Sequence, residues 1–201
     1  MALNFANNNS LSAITSLPAS ISGGAMTLLQ TQTASSSSTI DFTSNIDSTY
    51  DSYVFKFINI HPATDVSDFT FQVDTGTNTS YNQTVTNTYF QAYQNEAGTG
   101  QSLDYLSSYD QAQGTSFIDI SHYLGNANDE CCSGTLHLFD PSSTTFVKHF
   151  ICRINSTNGN EYTSDYYSAG YFNTTTALTR VRFKMASGNI DSGVIKLYGI
   201  S

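Results

Sequence analysis

Arg180-Val181-Arg182-Phe183-Lys184-Met185 decides the fold. Successive side chains of an extended chain point to opposite faces, so Val181, Phe183 and Met185 share one face while Arg180, Arg182 and Lys184 share the other. A register slip of one residue would bury three cations, costing roughly several kcal/mol each after relaxation. The segment therefore reads as a strand of well-specified register, apolar on one side and basic on the other.

The same period recurs along the chain. Thr39-Ile40-Asp41-Phe42, Phe69-Thr70-Phe71-Gln72-Val73-Asp74, Phe117-Ile118-Asp119-Ile120 and Thr135-Leu136-His137-Leu138-Phe139 alternate polar with apolar residues. Met26–Gln30, Tyr53–Ile60, Tyr89–Tyr93, Phe146–Ile154, Tyr166–Phe172 and Val194–Ile200 are further strand candidates. Turn chemistry separates them: a Ser-rich turn at 34–38, His61-Pro62, the Gly/Asn/Ser/Thr run 74–82, and Asp140-Pro141. Residues 94–113 read as a long loop with one helical turn, and no segment sustains a helical stripe. The expectation is an all-β domain over 26–201, an antiparallel β-sandwich of jelly-roll type with about ten strands. Residues 1–25 carry Leu11, Ile14, Leu17 and Ile21 among Asn, Ser, Ala and Gly, interrupted by Pro18 and Gly23-Gly24. They read either as an N-terminal docking arm or as a frayed terminus.

Composition narrows the function classes. Of 201 residues only 11% are charged, against roughly a quarter in ordinary soluble proteins, and Ser, Thr and Asn make up about a third. The surface is polar without being charged. A net charge of −9, and no Lys or Arg between Lys56 and Lys148, argue against nucleic acid and anionic membranes as partners. Three cysteines, with Cys131 and Cys132 adjacent and only Cys152 remaining, do not make a disulfide framework. The N-terminus has neither the basic region nor the apolar core of a secretory signal, and no apolar run approaches membrane-spanning length. The sequons at Asn8, Asn78, Asn82, Asn155 and Asn173 would matter only on a eukaryotic secretory route.

Four constellations admit a functional and a plainer reading. The row Arg180, Arg182, Lys184 is either a subunit contact or a solvated sheet face neutralised by cross-strand Asp; common, weak surface ion pairs favour the second. Tyr162, Tyr166, Tyr167 and Tyr171, near Asn158, Asn160 and Asn173, could stack on and hydrogen-bond sugars, or simply pack in a core or interface. His61, His122, His137 and His149 lack metal-ligand spacing, although His137 and His149 sit in neighbouring strands. Asp129-Glu130 with Asn126 and Asn128 lacks the spaced ligands and central glycine of a calcium loop. No nucleophile elbow, zinc-protease, phosphate-loop or dinucleotide motif occurs, and the carboxylates nominate no glycosidase pair. The reading is a protein that is not an enzyme and needs no metal or cofactor.

Ser38-Thr39-Ile40-Asp41-Phe42-Thr43-Ser44-Asn45-Ile46-Asp47-Ser48-Thr49-Tyr50, the strand Tyr53-Val54-Phe55-Lys56-Phe57-Ile58-Asn59-Ile60-His61-Pro62 and the ending Arg182-Phe183-Lys184-Met185-Ala186-Ser187-Gly188-Asn189-Ile190-Asp191-Ser192-Gly193 carry a resemblance. Over roughly residues 27–201 the chain resembles small virion proteins of tailed bacteriophages from marine bacteria, and domains at the C-termini of longer tail-fibre-like proteins. The resemblance implies a virion-surface part: a capsid decoration protein, a short head fibre or a tail-fibre tip. It departs from the longer fibres in its short N-terminal arm. A virion protein needs no signal peptide, and oligomers, trimers first, are the expected form, in contact with a major capsid or tail protein. Three functions follow in order: decoration or short fibre, with the arm and the basic row in subunit contacts; a receptor-binding tail-fibre domain, with the tyrosines or the 94–113 loop reading a host glycan; and a glycan-processing enzyme.

Overall fold

The computed structural model describes residues 26–201, so the expected docking arm, with Leu11, Ile14, Leu17 and Ile21, lies outside the described residues. Thirteen strands form one antiparallel sheet: β1 (Thr27–Ser37), β2 (Ile40–Phe42), β3 (Ser52–Pro62), β4 (Ser67–Asp74), β5 (Val85–Asn95), β6 (Gln101–Tyr105), β7 (Ala112–Gly114), β8 (Ile118–Leu124), β9 (Cys132–Phe139), β10 (Lys148–Asn158), β11 (Tyr162–Phe172), β12 (Arg180–Met185) and β13 (Ile190–Ile200). A large half runs β1-β13-β3-β9-β10-β11-β5, with β6 and β7 both on β5; a small half runs β8-β4-β12-β2. Among the described residues the strand ladders of the two halves meet at one register pair, Asn158↔Leu124 of β10 and β8.

The sheet closes over itself because both halves present phenylalanines to a shared core. Phe55, Phe57, Phe150 and Phe172 of the large half meet Phe42, Phe69, Phe71 and Phe183 of the small half, mostly edge to face, with ring centroids 5.1–6.0 Å apart across the halves. Edge-to-face packing satisfies the ring quadrupoles while removing large apolar areas from water. The opening hexapeptide behaves as its alternation requires: Val181, Phe183 and Met185 are buried, and β12 pairs in register with β4 and β2. The architecture is all-β and antiparallel, close to a closed barrel.

Several boundaries move. The Ser-rich stretch expected as a turn at 34–38 instead continues β1 to Ser37, because among the described residues β1 pairs with β13 alone and can expose polar side chains. The loop expected over 94–113 is two short strands, β6 and β7, around a single 3-10 turn at Ser107–Tyr109. Both pair with β5, whose eleven residues also run in unbroken register along β11. Where β13 bulges against β3, Gly193 adopts φ +126°, and a side chain there would strike the Asn59 carbonyl.

Candidate functional site

Because β8 meets β10 at a single pair, the small half and the β10-β11-β5-β6 extension border an open groove of about 280 Å³. Gln91 and Tyr93 of β5, Asp104 of β6, Tyr162 and Ser164 of β11, Asn158 and Asn160 at the β10–β11 turn, and His122-Tyr123 of β8 line it. The residues of β5 and β11 arrive together through strict register: Tyr93 opposes Ser164 and Gln91 opposes Tyr166. Tyr93 and Tyr162 pack edge to face at 5.4 Å.

Tyr123 is held in a left-handed backbone conformation, φ 54°, which costs a non-glycine residue on the order of 1–3 kcal/mol. Two hydrogen bonds hold it: its N–H donates to Asp68 Oδ1 at 3.0 Å, and its carbonyl accepts from Gly159 N at 3.1 Å. The result is an aromatic ring left 44% exposed at the groove.

Below the groove the filling is polar and titratable. The Tyr109 hydroxyl and His122 Nδ1 share a hydrogen bond of 2.7 Å, whose donor depends on the imidazole tautomer. Burial pushes the His122 ring down to about 4, although Asp68 Oδ1 lies 3.9 Å from its Nδ1; desolvation outweighs that contact. Tyr166 is 1% exposed and donates to the His122 carbonyl at 2.7 Å. Burial and then the neighbouring Asp68 push the Asp119 carboxyl up to about 7, while Asp68 itself is raised by burial. The Tyr89 and Ser168 hydroxyls are buried without a hydrogen-bond partner among the described residues.

Some of the lining is committed to structure and some is not. Asn158 Oδ1 accepts from the N–H groups of Asn160 and Tyr162, which shapes the turn, and Ser102 Oγ donates to Asp104 Oδ1 at 2.6 Å. The second Asp104 oxygen, the amides of Gln91 and Asn160 and the hydroxyls of Tyr93, Tyr123 and Tyr162 have no hydrogen-bond partner among the described residues. Asp104 is the one carboxylate among the lining residues, whereas acid–base cleavage of a glycosidic bond uses two. The arrangement suits hydrogen bonding to a neutral, hydroxyl-rich molecule.

The tyrosine cluster read from sequence does not form one surface. Tyr162 lines the groove and Tyr166 lies beneath it, too deep to touch a ligand, so its role is to position His122. Tyr167 and Tyr171 are of opposite parity on β11 and face outward, Tyr167 stacked on Phe90 at 4.7 Å. The basic row is likewise engaged within its own chain. Arg182 forms a two-pronged ion pair with Asp41 at 2.7 Å and lies 4.0 Å over Tyr81; Arg180 donates to the Asn78 carbonyl; Lys184 sits over Phe117. Of the three cations only Arg182 meets a cross-strand carboxylate among the described residues, and the loop from Thr75 to Thr84 lies against the Arg180–Arg182 end of that face. Tyr81 is buried, and its N–H and that of Gly76 donate to the buried Asp74.

His137 and His149 stand opposite Ile151 and Tyr171. Glu130 is buried and accepts from Ala127 N, capping its own turn. Cys131, Cys132 and Cys152 are unpaired thiols, and among the described residues no group of three His, Cys, Asp or Glu is placed to hold a metal.

Sequence reading missed a second surface, on the outer face of the large half. One cross-strand row runs Leu28, Tyr198, Val54, His137, Ile151, Ala169; the next runs Thr31, Lys196, Lys56, Thr135, Arg153, Tyr167, Phe90, Tyr105. Leu28 and Ile151 are 50% and 54% exposed. Lys56 stands directly opposite Lys196, a like-charge pairing that is unfavourable by itself, and neither has a carboxylate within ion-pair distance among the described residues. No local signal marks these rows, since their residues come from as many as eight strands. Comparisons with known proteins return no match: no family model, curated protein or solved structure matches this chain.

Proposed function

We propose that this chain is a virion surface protein, a capsid-associated decoration or short head-fibre subunit that assembles with copies of itself, as trimers first. The observation that carries the reading is the outer face of the large half. There a row that leaves Leu28 and Ile151 exposed adjoins the Lys56–Lys196 pair, which meets no carboxylate among the described residues, Lys56 lying 5.1 Å from the Tyr198 ring centre. A chain with sixteen acidic and seven basic residues supplies the missing carboxylates from a second copy. The strand order supports a jelly-roll sandwich: β1-β13-β3-β9 and β2-β12-β4-β8 interleave as two Greek keys, with β5–β7 and β10–β11 as insertions. That architecture is frequent in capsid and lectin domains, and the sequence resemblance to phage virion proteins points the same way.

Light scattering of the purified full chain tests the assembly. The expected result is a closed oligomer that Lys56→Glu with Ile151→Asp converts to folded monomer. A wild-type monomer at tens of micromolar overturns it. Imaging of virions carrying a labelled copy tests the location: label over the shell in many copies supports decoration, and no label on the particle overturns the virion reading. A second reading, a tail-fibre domain that binds a host-surface glycan, is favoured by the groove and its uncommitted hydrogen-bonding groups. Label confined to the tail tip supports it instead.

A further inference from the structure

We infer that the groove between β8 and the β5-β11 ribbon is a binding site for a neutral sugar, one pyranose ring of a host-surface glycan, with Asp104 as the hydroxyl acceptor and Tyr123 as the stacking platform. This rests on the receptor-binding reading above and names its ligand class.

The size fits first. At about 280 Å³ the groove falls just under the range of drug-sized small-molecule sites, roughly 300 to 1,000 Å³, a size that suits a single ring. The chemistry fits next. A sugar needs polar groups that both donate and accept at fixed positions, beside an aromatic ring for its C–H face. Asp104 Oδ2 can accept from a sugar hydroxyl, the Gln91 and Asn160 amides can donate and accept, and Ser102 on the other Asp104 oxygen fixes the carboxylate's orientation. Tyr123 is presented by a strained backbone that two hydrogen bonds hold in place, so the platform exists before the ligand arrives.

The charge of the site selects among sugars. No Lys or Arg lines it, while Asp104 sits at its wall and Asp68 holds the Tyr123 backbone from below. A sialic or uronic acid would bring a carboxylate next to Asp104 with no cation to meet it, a repulsive element that discriminates against anionic glycans.

The test uses the full-length chain on immobilised neutral oligosaccharides (galactose-, glucose-, mannose- and N-acetylglucosamine-terminated) and on sialylated and uronic-acid ones. The expected result is binding to neutral glycans only. Asp104→Asn is expected to weaken it about ten-fold and Tyr123→Ala and Asn160→Ala several-fold, in line with losing a charged hydrogen bond or a stacking contact. Tyr171→Phe, on the opposite face, is expected to leave binding unchanged. Circular dichroism on each variant separates lost binding from lost fold, and Asn160→Ala, at an exposed turn, keeps a folded variant in the series. Neutral-glycan binding that survives all three groove changes, or binding confined to anionic glycans, overturns the groove assignment and leaves the receptor reading standing. No binding to any glycan by the wild-type chain overturns both.

Discussion

The two ends of the space between the half-sheets are filled in opposite ways. Around Phe183 five phenylalanine rings lie within 6.2 Å between centroids. Under the groove the same two layers enclose Tyr89, Tyr109, Tyr166 and His122 beside Asp68 and Asp119, and the Tyr89 hydroxyl finds no partner among the described residues. Buried polar groups that are incompletely paired cost stability, so the second filling is retained at a cost that the first offsets. The contrast teaches that the apolar end holds the fold and the polar end is where the molecule gives up stability for a recess.

Four measurements sharpen or break that contrast, the largest effect first. Phe183→Ala removes the ring that all five neighbours share, and urea unfolding is expected to show a loss of about 3–5 kcal/mol. A loss under about 1 kcal/mol would mean the apolar end is not the keystone.

Asp119→Asn tests the polar end through pH. The Asp119 carboxyl is pushed up to about 7 from 3.8 by burial, so the folded state favours its neutral form. Its contribution is fully present below pH 3.8 and is lost as pH rises through 7. The variant, neutral throughout, is therefore expected to be more stable than wild type at pH 8, by on the order of 1–3 kcal/mol, and no different at pH 4. His122 opposes this trend: with its ring pushed down from 6.5 to about 4, its contribution is present above 6.5 and is lost as pH falls toward 4. Unfolding midpoints at pH 4, 6 and 8 decide the matter, and a pH-independent difference would refute the role of Asp119.

Tyr166→Phe deletes the hydrogen bond to the His122 carbonyl and is expected to cost about 1 kcal/mol by urea unfolding, with the groove's shape disturbed. Tyr89→Phe deletes a hydroxyl that has no partner among the described residues and is expected to be neutral or slightly stabilising, within about 0.5 kcal/mol. Equal losses from the two tyrosine changes would break the distinction between committed and uncommitted polar groups.

The strands were legible wherever one face is apolar. Arg180–Met185, Phe69–Asp74 and Thr135–Phe139 lie in the strands their alternation predicts. Legibility failed where pairing itself supplies the order: the serines of β1 are strand because β13 lies beside them, and β6 exists because β5 offers it an edge. Of the groove, Tyr162, Asn158 and Asn160 stood out as a polar aromatic cluster, but Tyr167 and Tyr171 were grouped with them, although odd and even positions of one strand face opposite ways. His122 figured only among four histidines without metal-ligand spacing, and Tyr123 carried no signal.

Sequence alone established an all-β chain, its antiparallel character, its scarcity of charge and the two faces of Arg180–Met185, because each follows from side-chain period and composition. Tertiary structure decided which loop lies against the Arg180–Arg182 end of the basic row, which lysines are left facing each other, and where six polar residues from four strands and a turn converge. Those are matters of contact between segments far apart in the chain, and a period of two residues says which side a residue faces but not what stands on that side.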